Sequence, residues 1–304
     1  MSFSQDVKTE IMEHLPQARH CQIAALAGIY MLCGFVNRDK GNVLCFHTEN
    51  INAARMGFTL LKKTFNIDFG LSVRKGKAYS YDIRLEKNGS QNVREALKLD
   101  EAGGRVSELL IERACCRKAF ITGAFVTAGS MTDPERSYHF EIVCPDKDKA
   151  DEILAAIRSF DIEARVIQRK RNFVVYVKDG DGIVDMLNIM EANTALLNME
   201  NTRVLKDMRN RVNRNVNCET ANIKKTAQAS YKQISDIEFL MEKGAFEGLD
   251  ENLKQTAVFR LENKEASLAE LGEMFNPPVG KSGINHRLRK ISEIAEKLGK
   301  ENRV

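Results

Sequence analysis

The stretch Leu26-Ala27-Gly28-Ile29-Tyr30-Met31-Leu32-Cys33-Gly34 decides the fold, because its frame returns as Ile121-Thr122-Gly123-Ala124-Phe125-Val126-Thr127-Ala128-Gly129. Gly28 and Gly34 correspond to Gly123 and Gly129, a shift of 95 residues (123 − 28). Carried outward without a gap, the shift pairs Cys21 with Cys116, Ala24 with Ala119, Phe65 with Phe160, Ile67 with Ile162 and Asp68 with Glu163. It also pairs Arg74 and Lys75 with Arg169 and Lys170, and Tyr81 with Tyr176. Residues 36–60 match 131–155 poorly, so loops there differ with little net change in length. Agreement at one shift over so many positions marks a duplicated unit of about ninety residues.

Glycines six apart with alanines between them give a helix surface without large side chains, so two such helices can approach backbone to backbone. Each Gly costs roughly 1 kcal/mol against Ala inside a helix, and close contact must offset that. The plainer reading is an ordinary pair of buried helices within one core.

Around these helices the chain reads as follows. Residues 4–14 form a short amphipathic helix with Val7, Ile11 and Met12 at helical spacing, ended by Pro16. The first motif helix spans 20–36, followed by a strand over 42–48 and a helix over 50–65. Strands over 68–75 and 77–85 meet at Gly76, with Tyr79, Tyr81, Ile83 and Leu85 on one face. A short helix covers 94–99, and Gly103-Gly104 joins the halves. The second half repeats the order: motif helix 115–128, a turn at Asp133-Pro134, strand 138–144, helix 148–160, strands 163–170 and 172–178, and a helix over 182–190.

The composition, 43% hydrophobic and 29% charged, is that of a globular chain with room for two or three domains. A net charge of +4 says little about nucleic acid. Apolar runs fall short of the 18 or so residues of a membrane span. The N-terminus lacks an apolar signal core, so a cytoplasmic location is expected. The seven cysteines (21, 33, 45, 115, 116, 144 and 218) contain no Cys-x-x-Cys, so spacing indicates neither a disulfide framework nor a zinc site, and no cofactor is expected.

Basic residues gather at three places. Arg74, Lys75 and Lys77 sit at one hairpin, and Arg165, Arg169, Lys170 and Arg171 at its counterpart. A pseudo-symmetric pair of basic hairpins suits the phosphates of a duplex, although solvated hairpin tips would look the same. From 203 to 225 the balance is +5 (7 − 2), with Arg203, Lys206, Asn210, Arg214 and Asn217 on one helical face and Arg209 beside them. This Asn-rich stretch reads either as a second DNA contact or as a solvated helical linker. The third place is the C-terminal region. Helices over 231–243 and 250–262, the latter with Leu253, Ala257 and Leu261 on one side, precede a capping box at Ser267-Leu268-Ala269-Glu270. Leu268, Leu271 and Phe275 form the buried stripe of the helix it opens. Asn276-Pro277-Pro278-Val279-Gly280 must be a stiff turn. Ser282 then caps a helix whose core side is Ile284, Leu288, Ile291, Ala295 and Leu298. This is a helix-turn-helix.

The face opposite that core carries Ser282, His286, Arg289 and Glu293, flanked by Asn285 and Lys290, with Arg287 nearer the core edge and within reach of a phosphate. Lys281 to Lys290 holds four basic residues and no acid, so the first two turns should enter the major groove. Asn285 suits adenine and Arg289 guanine. A helical hairpin serving protein contact is the alternative.

The duplicated motifs resemble the LAGLIDADG helices of homing endonucleases, which meet at a pseudo-twofold interface and lead into sheets that sit on DNA. In those nucleases the acid before the last motif Gly holds the metal. The matching positions here are Cys33 and Ala128. Ala has no ligand atom and a single Cys suits Mg²⁺ poorly. Asp39, Asp133 and Glu135 lie past the helix ends. A degenerate LAGLIDADG duplication followed by a helix-turn-helix resembles the WhiA family of bacterial transcription regulators. The segments 277–289, 213–222 and 175–180 look very like that family's motifs.

The fold expected is α+β: a duplicated αββαββ domain with pseudo-twofold symmetry, then an all-α helix-turn-helix domain. Its parts are two LAGLIDADG-like halves (1–103 and 104–197), a basic linker (198–230) and the helix-turn-helix domain (231–304). The resemblance implies sequence-specific binding of double-stranded DNA without cleavage, at the nucleoid, in sporulation or in cell division and chromosome segregation, with a possible protein partner. A protein-binding scaffold and a residual metal-dependent nuclease are the alternatives.

Overall fold

The structure is a computed structural model that describes residues 2–76, 78–99 and 106–301. Lys77 and the Gly103-Gly104 joint lie outside the described residues. The chain divides into two compact units, Met1–Lys206 and Asp207–Val304.

The first unit opens with α1 (Phe3–Glu13), then builds α2 (Arg19–Cys33), β1 (Gly34–Asn37), β2 (Val43–Thr48), α3 (Ile51–Phe65), β3 (Phe69–Lys75), β4 (Tyr79–Leu85) and α4 (Lys87–Ala96). The order repeats as α5 (Ala114–Ala128), β5 (Gly129–Met131), β6 (Phe140–Cys144), α6 (Lys147–Arg158), β7 (Arg165–Arg169), β8 (Asn172–Val177) and α7 (Gly180–Ile189). The strands make two antiparallel four-stranded sheets, ordered β1-β2-β4-β3 and β5-β6-β8-β7. The fold is thus a duplicated LAGLIDADG-like α+β domain.

Its centre is the α2–α5 pair. A Cβ on Gly28 would run into the Phe120 carbonyl oxygen, and one on Gly123 into that of Ala25. Ala25 and Phe120 are themselves 95 apart, so the two contacts are related by the pseudo-twofold. Gly34 and Gly129 do a second job. Each ends its helix beneath an aromatic ring four residues earlier, Tyr30 and Phe125, which leaves no space for a side chain. Those rings pack on the first sheet's Phe46 (5.6 Å between centroids) and the second sheet's Phe140 (5.1 Å). Flanking helices are fixed by side-chain caps, Asn50 on α3, Asp146 on α6 and Asp179 on α7. The Nδ2 of Asn50 also donates to the carbonyl of Val126, near the end of α5, at 3.0 Å.

Within the duplicated domain three expectations need correction. The first motif helix stops at Cys33, not residue 36, because Gly34-Phe35-Val36-Asn37 pairs with β2 as a strand; β5 likewise adds a first strand to the second half. The helix expected at 94–99 lies at 87–96, with Ser90 and Val93 buried. The gapless shift also fails in the hairpins. Gly34 pairs with Phe46, which pairs with Ile83, whereas Gly129 pairs with Ile142, which pairs with Val175. Ile83 therefore corresponds to Val175, a shift of 92 (175 − 83). The first hairpin is three residues longer between Arg74 and Ser80 than the second between Arg169 and Asn172. Three is odd and side chains alternate along a strand, so Tyr81 and Tyr176 point to opposite faces.

α8 (Asn193–Glu242) is one helix of 50 residues, and the division between the units falls inside it. The stretches expected as a linker and as a helix over 231–243 belong to it. Glu10 of α1 caps its start, accepting from the backbone N–H groups of Thr194 and Ala195 at 2.6 and 3.1 Å. The second unit continues with α9 (Glu251–Glu262), α10 (Leu268–Glu273) and α11 (Lys281–Glu301). Its core is Ile237, Leu240, Leu253, Ala257, Leu271, Phe275, Ile284, Leu288, Ile291 and Ala295. Among the described residues no helix is long and apolar enough to cross a membrane.

Candidate nucleic-acid interface

In the second unit α10, the turn and α11 form the helix-turn-helix. The capping box is present: the Ser267 N–H donates to Glu270 Oε2 at 2.7 Å and the Glu270 N–H to Ser267 Oγ at 3.3 Å. Gly272 lets the turn fold back, since a Cβ there would strike the Val279 carbonyl oxygen, and the Val279 N–H donates to the Gly272 carbonyl at 2.9 Å. Ser282 does not cap α11. The helix begins at Lys281, and the Gly280 carbonyl accepts from the N–H groups of Gly283 and Ile284. Ser282 thus lies in the first turn.

Ile284, Leu288 and Ile291 are at most 1% exposed, which fixes the rotation of α11. Lys281, Ser282, Asn285, His286, Arg289 and Lys290 consequently face solvent. Arg287 is half-buried, its guanidinium 5.0 Å from the Phe275 ring centroid, and its Nη1 is buried without a hydrogen-bond partner. Arg289 is held by Glu293 one turn on, Nε to Oε1 at 3.2 Å.

Arg260, at 2% exposure, ties this unit together. Its Nη1 donates to the Ala266 carbonyl at 2.7 Å and lies 3.5 Å from Ser230 Oγ and from the carbonyls of Asn263 and Lys264. Ser230 on α8 donates to the Lys264 carbonyl at 2.6 Å. Burial lowers the pKa of Arg260.

The other expected contacts are placed differently. Arg203 is bound to Asp181 and to Glu200 (2.9 Å). Lys206 donates to the Pro134 carbonyl at 2.7 Å and sits 4.7 Å from the Tyr138 centroid. Arg209 and Arg214 are exposed on α8, and among the described residues neither has an ion-pair partner. On the first sheet Arg74 meets Asp82 at 3.3 Å, and Asp82 also binds His47 Nδ1 at 2.8 Å. On the second, Arg169 meets Glu141 at 3.2 Å, and Glu141 also binds His139 Nε2 at 3.1 Å. Burial pushes the Glu141 carboxyl up, but hydrogen bonds from His139 and Ser130 and the Arg169 charge outweigh it and leave its pKa lowered. Lys75 lies 5.9 Å from the Tyr79 centroid, and Lys170 holds a left-handed backbone (φ 58°) at its hairpin tip.

The degenerate metal positions do not fit a hard divalent cation. Burial pushes the Cys33 thiol up to about 12, and it donates to the Ile29 carbonyl at 3.3 Å. Ala128 offers a methyl group. Asp133 accepts from the Glu135 N–H at 2.9 Å in a surface turn.

A duplicated LAGLIDADG-like domain joined to a helix-turn-helix defines the class of protein. The comparisons with known proteins agree with it. The WhiA N-terminal LAGLIDADG-like domain matches residues 19–99, the WhiA LAGLIDADG-like domain residues 117–209, and the WhiA C-terminal helix-turn-helix domain residues 212–295. A relative from Lachnoclostridium phytofermentans, named probable cell division protein WhiA, is 47% identical over 98% of this chain and 99% of its own. One of the same name from Thermoanaerobacter pseudethanolicus is 42% identical over 100% of both chains. The crystal structure of full-length WhiA from Thermatoga maritima superposes with a TM-score of 0.60 at 26% identity, covering 98% of this chain and 99% of that one. The chain belongs to the WhiA family.

Proposed function

We propose that the chain binds double-stranded DNA sequence-specifically, as a transcription regulator acting at the nucleoid in the cytoplasm, and does not cut it. The observation that carries this reading is the exposed, acid-free first two turns of α11, mounted on a fully buried apolar stripe. Lys281, Ser282, Asn285, His286, Arg289 and Lys290 face the major groove, with Asn285 and Arg289 reading bases. Arg287 reaches a phosphate from the core edge. Arg209 and Arg214 add phosphate contacts. Arg203, Lys206, Arg74, Lys75, Arg169 and Lys170 rank below them. The name of the curated relatives favours a role in cell division, with chromosome segregation and sporulation as the processes such a regulator serves. Cys33 and Ala128 leave the nuclease reading without its metal ligands.

The test is binding of the full chain to genomic fragments with Mg²⁺ present, across a salt series. Selective retention of uncut fragments, with affinity falling steeply as salt rises, is the expected result. Cleavage, or retention without selection, overturns it. A second reading, a protein-binding scaffold, draws on the apolar surface of the first unit. Leu71, Val73 and Tyr79, which share one face of the first sheet, are each 49–55% exposed. Such a surface suits a protein partner in transcription or division, and a partner captured equally well by an α11 variant that no longer binds DNA would favour it.

A further inference from the structure

The repeat does more than place two glycines at an interface. It also places Cys21 and Cys116, its equivalent, in the first turns of α2 and α5, each preceded by another potential ligand, His20 and Cys115. The four ligand atoms all lie within 4.8 Å of one another, in the one such grouping among the described residues. His20 Nδ1 is 3.1 Å from Cys21 Sγ and 3.6 Å from Cys116 Sγ. Spacing along the chain hides this group, because its halves are 95 residues apart.

We propose that His20, Cys21, Cys115 and Cys116 bind one zinc ion, two ligands from each half of the duplicated unit. A tetrahedral zinc with sulfur at about 2.3 Å and nitrogen at about 2.1 Å holds its donors roughly 3.5–3.8 Å apart. The present separations bracket that range, so closing the site takes rotamer adjustments rather than backbone movement. Three sulfurs and one imidazole form a soft donor set that selects zinc over Mg²⁺ or Ca²⁺. Cys21 and Cys116 are buried and anchor the site, while His20 and Cys115 are exposed and leave it open to an arriving ion. A cavity of about 120 Å³, lined by Cys21, Cys115, Lys118 and Thr122 among others, adjoins the cluster. On binding, the three thiols release their protons to solvent and the imidazole coordinates as the neutral ring through Nδ1. Zn²⁺ with three thiolates carries a charge of −1, and Arg113, immediately before α5 and close enough to act on Cys116, offsets it.

Such an ion would cross-link the two motif helices at their N-terminal ends. The glycine contacts hold the same pair further along. All four ligands belong to the first unit, which zinc would stabilise, so this proposal stands or falls separately from DNA binding.

The test uses the full chain, reduced and stripped of metal, titrated with Co²⁺ and then Zn²⁺. One Co²⁺ per chain should bind with an intense ultraviolet sulfur-to-cobalt charge-transfer band and the strong visible bands of tetrahedral geometry. Zn²⁺ should displace it and raise the melting temperature. Because buried Cys21 and Cys116 invite misfolding when replaced, the decisive variant is the exposed pair His20→Ala with Cys115→Ser, checked for native circular dichroism. It should lose the tetrahedral spectrum and the thermal shift, while Cys218→Ser keeps both. The proposal is overturned by the lack of a thiolate–cobalt band in the parent chain, by an unchanged spectrum in the double variant, or by loss of the band in Cys218→Ser. It is equally overturned if anaerobically isolated protein carries a disulfide within the cluster.

Discussion

The sheets of the first unit and the first turns of α11 are both basic in sequence, yet they differ in what their charges already hold. Each sheet centres on a carboxylate with a histidine and an arginine attached, His47–Asp82–Arg74 and His139–Glu141–Arg169. The carboxylate stands on β4 in one sheet and β6 in the other, so the arrangement is not simply inherited from the repeat. On α11 the first two turns contain no acid, and Arg289 alone reaches forward to one, Glu293. A phosphate approaching Arg74 or Arg169 must compete with an internal ion pair, whereas in the first two turns of α11 Lys281 and Lys290 have no ion-pair partner among the described residues and Arg289 alone is so held. A count of lysines and arginines is therefore a poor map of a nucleic-acid surface; what ranks its parts is how many of those charges are already neutralised.

The largest expected effect tests whether the two regions are independent. Gly123→Val forces its side chain into the Ala25 carbonyl and should destabilise the first unit by about 3 kcal/mol. Calorimetry should show its transition lowered and that of the second unit unchanged. Next, Asn285→Ala and Arg289→Ala should each weaken specific DNA binding by roughly 1–3 kcal/mol in a fluorescence titration. Unchanged affinity in both would end the assignment of α11 as the reading helix. Ser267→Ala removes the cap of α10 and should cost the second unit about 1 kcal/mol in urea denaturation. The double variant Arg74→Ala, Arg169→Ala should reduce the salt slope by less than about one charge per residue. A larger drop than the α11 variants produce would reverse the ranking of the two surfaces. The smallest effect is Glu141→Gln. The Glu141 carboxyl is depressed in the folded state, so its stabilisation is present at neutral pH and fades as pH falls through its folded pKa. The melting temperature of the variant should lie below that of the parent by about one to two degrees at neutral pH, a gap that closes in acid.

The duplicated helix pair was legible because close backbone contact tolerates so few residue types that Gly28 and Gly123 stand out. The helix-turn-helix was legible for a similar local reason: a capping box, two prolines and a clean apolar stripe. Strands β1 and β5 were not, since Gly34-Phe35-Val36 prolongs an apolar run that fits a helix as well as an edge strand. The three-residue difference between the hairpins escaped because it arises where the sequences have diverged. α8 read as pieces because its middle is exposed: residues 201–229 hold no buried position, and apolar residues such as Val204, Met208, Val212 and Val216 stand in solvent among the Arg and Asn residues. The roles of individual arginines were least accessible: Arg203 and Arg214 share a helical face in sequence, yet one is tied to Asp181 and the other has no ion-pair partner among the described residues.

Arg260 carries a consequence for how the second unit comes apart. Its guanidinium gathers the segment 263–266, donating to the Ala266 carbonyl at 2.7 Å, and lies 3.5 Å from Ser230 Oγ on α8. Opening that segment while the guanidinium stayed buried would leave a cation short of acceptors, which costs several kcal/mol. Opening of that segment is therefore coupled to exposure of Arg260, and a shortened chain that keeps the contact to α8 must begin at or before Ser230, the last residue of what sequence alone marks as linker.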